Sequence, residues 1–214
     1  MDSRARASLL RPMSKIAAII LAAGQASRFR AAAGAAGPET KLVALLDGSP
    51  LVRHVAQAAL ASRAQQVIVV TGHAQGAVRA ALEGLPVTFI HNPDYATGLA
   101  SSLQQGLAQV PPDCDGALVL LGDMPLINAP IIDELIDAFE NIPDTKAVAP
   151  VRDGMRGNPV LLARALFPAV ERLQGDVGAR ALLAEAKGDV LEVAIASRAV
   201  SYDVDTPEAL ASKD

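Results

Sequence analysis

Tryptophan is absent from the 214 residues, and aromatic residues make up only 3% of them. Proteins that bind single-stranded nucleic acid use aromatic side chains on which the bases stack, so this composition argues against that class. The formal net charge of −4 also argues against binding to a phosphate backbone. We therefore expect no nucleic-acid partner, and any site for an anion must be local.

The sequence contains one cysteine, Cys114, which excludes an internal disulfide. No Cys or His lies at metal-ligand spacing from it, so it does not indicate a metal site. A single thiol is typical of a reducing compartment, and we expect a cytoplasmic location.

No apolar stretch approaches the roughly 18 to 20 residues that a membrane span needs, so no membrane association is expected. The basic segment before Ile16 superficially resembles the start of a signal peptide, but the apolar run that follows is short. We expect residues 1–14 to be a disordered extension, with Met13 as an alternative start, and residues 15–214 to form one domain.

Apolar and β-branched runs of strand length alternate with helical patterns along the first half of the chain. The runs are Ile16 to Ala23, Val67 to Thr71, Val87 to His91 and Ala117 to Leu121. This alternation predicts a parallel sheet with helical crossovers. Two further runs, Ala147 to Val151 and Pro159 to Leu162, are separated by glycine-rich turns and predict an antiparallel excursion. The fold class expected is α/β, a Rossmann-like three-layer sandwich with a mostly parallel sheet.

The first predicted strand leads into a small-residue loop that begins at Gly24, carries Arg28 and ends at Lys41. Ligands of α/β proteins bind outside the carboxyl ends of the strands. We interpret the loop as the binding site for the triphosphate of a nucleotide. We expect its alanine-rich part, Ala31 to Gly37, to be mobile. After it, Ser49 and Pro50 look like the N-cap and first residue of a helix.

Asp123 follows the apolar run that ends at Leu121, between a glycine and a proline. A carboxylate at the end of a buried strand is well placed to hold Mg²⁺ against substrate phosphates. Asp205 precedes Thr206 and Pro207, and is either a structural acid at a helix start or a second metal ligand. Two histidines, His54 and His73, fit packing or loop roles better than catalysis.

Two other segments leave alternatives open. Thr97 and Gly98 precede a predicted helix with Ser101 and Ser102 in its first turn, where unpaired N–H groups either bind an anion or are simply capped. Asp176, in a glycine-containing loop, either caps a helix or faces the second substrate.

Taken together, these motifs resemble the MobA-like nucleotidyltransferases, and within them the molybdenum cofactor cytidylyltransferases. The similar segments are Leu21 to Arg28 followed by Lys41, and the Gly-Asp-Met-Pro at Gly122 to Pro125. The segment Asp203 to Leu210 resembles the closing motif of related pyrophosphorylases. The pieces TGLASSL, RGNPVLL and GDVGAR are similar to blocks of the cytidylyltransferase branch. The serine at Ser27 is displaced by one residue from the family pattern, and the spacer to Lys41 is longer.

The resemblance implies transfer of CMP from CTP to the terminal phosphate of molybdopterin, with release of pyrophosphate. It implies Arg28, Lys41 and Asp123 as catalytic residues and a Mg²⁺ ion held by Asp123 and Asp205. In relatives Ala-Ala-Gly in the opening motif accompanies cytidine, which favours CTP here. A molybdenum hydroxylase or its maturation chaperone is the expected protein partner. The expected nucleotide-binding residues are Leu21, Ala22, Ala23, Gly24, Arg28, Lys41, Thr71, Gly72, Gly98, Ser101, Ser102 and Gly122.

Three alternatives remain from the sequence. The first is a guanylyltransferase, or a transferase with a sugar or alditol phosphate as acceptor. The second is a non-catalytic nucleotide-binding chaperone for the cofactor, which the four charged residues Arg28, Lys41, Asp123 and Asp205 argue against. The third, a dinucleotide oxidoreductase, is weakened because Gly24 is not part of a G-x-G-x-x-G pattern.

Overall fold

The structure is a computed structural model that describes residues 13–34, 37–179, 182–183 and 189–211. The expected extension at residues 1–14 lies outside them, except for Met13 and Ser14. Among the described residues, no helix is both long and apolar enough to cross a membrane.

An eight-stranded sheet forms the middle layer. Its strands are β1 (Ile16–Ala22), β4 (Gln66–Thr71), β5 (Thr88–His91), β6 (Gly116–Leu121), β7 (Ala147–Arg152), β8 (Met155–Arg156), β9 (Val160–Ala163) and β10 (Val190–Ala194). The order is β10-β7-β9-β6-β1-β4-β5, with β8 paired to β7. Strand β9 is antiparallel to both β6 and β7. The expected antiparallel excursion is therefore confirmed.

Strand β1 lies in the centre, parallel to both of its neighbours. Ile19 is in register with Ile68 of β4 on one side and with Val119 of β6 on the other. Every residue of β1 is buried, because helices cover both faces of the sheet. This is the reason that its sequence is continuously apolar instead of alternating.

Helices complete the two outer layers. They are α1 (Ser27–Ala33), α2 (Leu51–Leu60), α3 (Gln75–Ala81), α4 (Leu99–Leu107), α5 (Ala129–Asn141), α6 (Phe167–Val170) and α7 (Pro207–Ala211). Alternate residues of β1 face opposite layers. Ile20 packs in one cluster with residues of α2 and α5, and Ile19 packs in the other with residues of α4 and α6. The three-layer α/β prediction is confirmed.

Two local expectations are wrong. Ser49 and Pro50 form the short strand β3, which pairs with β2 (Leu45–Leu46), and helix α2 begins only at Leu51. The turn residues Asp47 and Gly48 both have positive φ, 51° and 77°, which is the backbone of a tight hairpin turn.

The second wrong expectation is that Arg28 lies in a loop, since Ser27 to Ala33 form helix α1. The first three residues of the alanine-rich segment, Ala31 to Ala33, are the last turn of that helix, because alanine has the highest helix propensity. Residues 35–36 lie outside the described part of the chain. Arg28 is therefore carried by a helix and not by a loop.

Candidate active site

The carboxyl ends of β1 and β6 open into a cavity of about 510 Å³, a size typical of small-molecule sites. Of the residues expected from the sequence, Leu21, Ala23, Gly24, Lys41, Gly98, Ser102 and Asp123 line it. A Cβ added to Gly24 would meet nothing within 4 Å, so the backbone there faces open space. The loop after β1 thus lies where an anionic ligand could approach its peptide groups.

Four charged side chains meet at one side of this cavity. The Nζ of Lys41 is 2.6 Å from Oδ2 of Asp123 and 2.7 Å from Oδ1 of Asp205. The other carboxylate oxygen of Asp205 accepts a hydrogen bond from Nη1 of Arg28 at 2.9 Å. Lys41 and Asp123 are mostly buried, whereas the Arg28 side chain is 82% exposed. We call these four residues the ion cluster.

The ion cluster is assembled from distant parts of the sequence. Lys41 begins a 3-10 turn whose preceding residue, Thr40, is fully buried. Asp123 lies in the turn after β6, and its backbone oxygen accepts a hydrogen bond from the N–H of Val204 at 3.0 Å. That contact holds the C-terminal segment against the strand end and brings Asp205 beside Lys41.

Charge within the ion cluster shifts two pKa values. The hydrogen bond from Lys41 is the main reason that the pKa of Asp205 lies below its ordinary value, and Arg28 contributes in the same direction. Burial alone would lower the pKa of Lys41, and it is the largest single influence. Attraction and hydrogen bonds from Asp123 and Asp205 together outweigh it, so the pKa of Lys41 is raised. Lys41 is therefore a permanent cation near neutral pH.

Asp123 and Asp205 direct oxygens toward one position, that of the Lys41 ammonium group. Carboxylate oxygens are the ligands that Mg²⁺ prefers, so this pair fits a divalent cation if Lys41 moves aside. In the described part of the chain, no group of three or more His, Cys, Asp or Glu could hold a metal ion. The protein would supply these two carboxylates, and phosphate or water oxygens would complete the coordination.

Several residues expected to bind nucleotide lie behind the cavity wall. Ala22 is buried in the core, and Thr71 donates its hydroxyl proton to the carbonyl oxygen of Ile90. A Cβ on Gly72 would lie 2.5 Å from Cβ of Tyr95, so this glycine permits close packing beneath the wall. A Cβ on Gly122 would lie 3.2 Å from Cδ2 of Leu42, a looser approach.

Of the two serines in the first turn of α4, only Ser102 lines the cavity. The Ser101 hydroxyl lies 2.9 Å from the carbonyl oxygen of Gly98 and 3.1 Å from that of Asp94. Neither Ser101 nor Thr97 caps the helix with its side chain, since the capping residue is Gly98. Arg28 and Asp205 also lie outside the wall and reach the site through the ion cluster.

The sequence did not indicate part of the cavity wall, which includes Gln25, Tyr95 and Leu99. Asp176, for which two roles were left open, also lines the cavity. Its loop is held to α4 because the N–H of Ala100 donates to the carbonyl oxygen of Gly175 at 3.1 Å. The glycine content of the loop was the signal available in the sequence. Its position beside the cavity follows only from its packing against the start of α4.

His54 and His73 differ in their surroundings, and the buried Nε2 of His73 has no hydrogen-bond partner among the described residues. Nε2 of His54 lies 2.8 Å from the carbonyl oxygen of Leu46, which ties α2 to the β2–β3 hairpin. His73 packs near the ring of Tyr95, with ring centroids 6.1 Å apart. Cys114 is buried at the entrance to β6, and burial raises the pKa of its thiol.

The chain is similar in sequence to several curated proteins. It is 40% identical over 118 residues to the bifunctional protein GlmU of Aromatoleum aromaticum, which is 55% of this chain and 24% of the relative. It is 32% identical over 126 residues to the molybdenum cofactor cytidylyltransferase of Escherichia coli K12, which is 57% of this chain and 59% of the relative. The chain thus spans less than two thirds of either relative.

Solved structures show the same fold over nearly the whole chain. Rv0371c from Mycobacterium tuberculosis H37Rv superposes with a TM-score of 0.78 at 26% identity, over 92% of this chain and 96% of that one. Its complex with manganese superposes with a TM-score of 0.68 at 25% identity, over 86% and 90% of the two chains.

The family described as the MobA-like NTP transferase domain matches residues 18–190, which contain the cavity, Lys41 and Asp123. This match covers most of the sequence and confirms the family predicted from its motifs. The chain belongs to the MobA-like NTP transferase family, whose members are nucleotidyltransferases.

Proposed function

We propose that this protein transfers CMP from CTP to the terminal phosphate of molybdopterin and releases pyrophosphate. The observation that carries the proposal is the ion cluster at the edge of a cavity beside the loop after β1. Such a cluster can hold a triphosphate through its cations and a metal ion through its carboxylates. The similarity to a molybdenum cofactor cytidylyltransferase supports this acceptor, and Ala22-Ala23-Gly24 supports cytosine as the base.

The proposed reaction needs little proton chemistry. An anionic phosphate oxygen of the acceptor attacks the α-phosphorus of CTP. A new P–O bond forms while the bond to the bridging oxygen of the β-phosphate breaks, and pyrophosphate leaves with that electron pair. Because the nucleophile is already ionised, no general base is required. Catalysis then depends on alignment and on charge neutralisation.

Each charged residue has a proposed task in this reaction. Lys41 and Arg28 bind the β- and γ-phosphates and stabilise the leaving pyrophosphate. Backbone N–H groups near Ala23 and Gly24 orient the phosphate chain. Asp123 and Asp205 hold Mg²⁺, which supplies positive charge beside the phosphates when it is bound. Lys41 must leave the two carboxylates for this arrangement to form.

The test is a panel of CTP, GTP, ATP and UTP, each with Mg²⁺ and with or without molybdenum-loaded molybdopterin, in which pyrophosphate is measured. We expect release with CTP and only when the acceptor is present. Release with GTP would contradict the base assignment. A parallel reaction replaces molybdopterin with a sugar phosphate, and release of pyrophosphate there but not with molybdopterin would contradict the acceptor. Nucleotide binding without any turnover would favour the non-catalytic chaperone.

A molybdenum hydroxylase or its maturation chaperone is the proposed recipient of the product.

A further inference from the structure

Asn92 is a fully buried polar side chain whose hydrogen-bonding groups are all used within the fold. It follows β5, and its N–H donates to the carbonyl oxygen of Thr71 at 2.8 Å. The side-chain oxygen accepts from the backbone N–H of Asp94 at 3.0 Å. Because a backbone N–H can only donate, this contact fixes which end of the Asn92 amide is oxygen.

The amide nitrogen of Asn92 faces the first turn of α4. It donates to the hydroxyl oxygen of Ser101 at 2.9 Å and to that of Ser102 at 3.0 Å. Both hydroxyl oxygens therefore act as acceptors toward Asn92, and each must direct its own proton elsewhere. The Ser101 proton is taken within the fold, by the carbonyl oxygens of Asp94 and Gly98.

The Ser102 proton has a different environment. Within the part of the chain that the structure describes, its hydroxyl donates to no acceptor and takes part in one hydrogen bond, the one that it accepts from Asn92. Ser102 is 3% exposed and lines the cavity. A buried hydroxyl with an unused proton favours a ligand atom that accepts a hydrogen bond.

The position of Ser102 indicates which part of a nucleotide it would meet. Asp123 follows β6, on one side of β1, whereas Ser102 belongs to α4, which packs on β1 and on β4 at the other side of β1. Asn92, which follows β5, lies still further from β6 in the strand order. A nucleotide with its phosphates at the ion cluster would extend its nucleoside toward Ser102.

We propose that Asn92 is a positioning residue that fixes the Ser102 hydroxyl as a hydrogen-bond donor to the nucleoside part of the bound nucleotide. Asn92 does not touch the ligand, and its effect passes through Ser102. The inference rests on the proposed function only in that a nucleotide occupies the cavity, and it requires neither CTP nor molybdopterin in particular.

The test is a double-mutant cycle on nucleotide binding, with CTP and Mg²⁺ as the probe and isothermal titration calorimetry as the measurement. A neutral hydrogen bond corresponds to a change of about 3- to 10-fold in affinity, so we expect this weakening for Ser102→Ala. Asn92→Ala should weaken binding similarly, and the double variant should be no weaker than the single ones. Effects that multiply, or an Asn92→Ala protein that binds like wild type, would overturn the proposal.

Two further variants separate positioning from general damage. Ser62→Ala is the matched control. The Ser62 hydroxyl donates to the carbonyl oxygen of Ala59, and both residues precede β4, at the end of the strand that is opposite to the cavity. This control should leave affinity unchanged and combine independently with Asn92→Ala. Asn92→Asp keeps the shape but introduces an acceptor that draws the Ser102 proton away from the cavity. If Asn92→Ala does not fold, Asn92→Asp must reproduce the Ser102→Ala loss, and wild-type affinity in that variant would contradict the proposal.

Failure of this proposal can be told apart from failure of the proposed function. If the wild-type protein binds GTP, ATP or UTP instead of CTP, the base assignment fails and the same cycle is run with the nucleotide that binds. If none binds, both proposals fall. In a turnover assay, Ser102→Ala and Asn92→Ala should raise KM for the nucleotide while kcat changes little, because the proposed hydrogen bond from Ser102 lies away from the reacting phosphate.

Discussion

At the scale of single residues, Lys41 makes the contacts that join the two carboxylates of the ion cluster. Its ammonium group occupies the position to which Asp123 and Asp205 both direct an oxygen atom. The same oxygens are the proposed metal ligands, so a divalent cation would compete with Lys41. In the proposed reaction, binding of a nucleotide and binding of a metal would therefore be linked through one side chain.

The first prediction concerns the carboxylate of Asp123. We expect Asp123→Ala to reduce the rate of pyrophosphate release by about 10²- to 10³-fold, by analogy with the loss of other preorganised electrostatic contacts. The protein should stay folded, because the backbone oxygen of Asp123 and not its side chain bonds Val204. Circular dichroism would check folding. Asp113→Ala, which removes an exposed acid paired with Lys15, is the control. A rate near that of wild type would refute the assignment of Asp123.

The second prediction follows from the competition at Lys41. Mn²⁺ alone should leave the Tm of the wild-type protein nearly unchanged, whereas it should raise the Tm of Lys41→Met by about 3 to 5 °C at ten times the dissociation constant. The measurement is thermal unfolding with and without MnCl₂. Lys15→Met, which removes an exposed lysine that pairs with Asp113, should behave like wild type. Equal shifts of Tm in all three proteins would show that Lys41 does not compete with Mn²⁺ for the two carboxylates.

The third prediction is a pH dependence at Asp205. Its pKa in the folded protein lies below the ordinary 3.8, mainly because Lys41 donates a hydrogen bond to it. Its contribution to stability is thus present above about pH 4 and disappears as pH falls through the folded-state value. Since its side chain is 42% exposed, solvent screening keeps this contribution below about 1 kcal/mol.

The corresponding measurement is urea unfolding of the wild type and of Asp205→Asn at several pH values. The wild type should have the higher free energy of unfolding near pH 6, and the difference should shrink toward pH 3. A difference that grows as the pH falls would contradict the ionic role of Asp205.

At the scale of elements, the start of helix α4 is where the chain comes closest to itself beside the cavity. Gly98 has φ of 119°, and a Cβ there would lie 2.2 Å from the carbonyl carbon of Gly175. Only glycine fits, because both the backbone conformation and the approach of the second loop exclude a side chain. This glycine therefore sets the distance between α4 and the loop of Asp176.

The fourth prediction compares two Gly→Ala substitutions. Gly98→Ala should lower the free energy of unfolding by about 1 to 3 kcal/mol and should weaken nucleotide binding. Gly76→Ala, in helix α3, should be neutral or stabilising by up to about 1 kcal/mol, because a Cβ there meets nothing within 4 Å. Urea unfolding of both variants measures the difference, and equal effects would refute this account of Gly98.

The strands were the elements most readily predicted from the sequence. Strands β1, β4 and β6 are mostly continuous apolar runs, because both of their faces are buried. The hairpin of β2 and β3 was missed because Ser49 and Pro50 also match a helix start. The choice between the two depends on the positive φ of Asp47 and Gly48, which composition does not specify.

The site was predictable where residues follow strands, and less so where loops meet across the sheet. Asp123 was identified because it follows a buried strand, whereas Lys41 was identified as the end of the segment after β1 and through the family resemblance. Asp176 and Tyr95 reach the same cavity through packing of loops that are distant in sequence. The contact of Lys41 with Asp123 and Asp205 was not foreseen, because the sequence shows which residues are charged but not which of them form ion pairs.

At the scale of the whole molecule, two apolar clusters on opposite faces of the sheet hold the layers together. The fifth prediction compares two leucines. Leu118→Ala should cost about 2 to 5 kcal/mol, because Leu118 is fully buried between the sheet and the helices. Leu45→Ala should change stability by less than about 0.5 kcal/mol, since Leu45 is 61% exposed. Chemical denaturation measures both, and a small loss for Leu118→Ala would show that this face contributes little.

The central place of β1 in the sheet also has a consequence for biosynthesis. Ile20 pairs with Val69 on one side and with Leu120 on the other, so the second neighbour leaves the ribosome one hundred residues later. At cellular translation rates this takes about 5 to 20 s. For that interval an apolar strand has one edge unpaired, and such edges recruit other chains. Chaperones that bind extended apolar segments should therefore increase the yield of native protein.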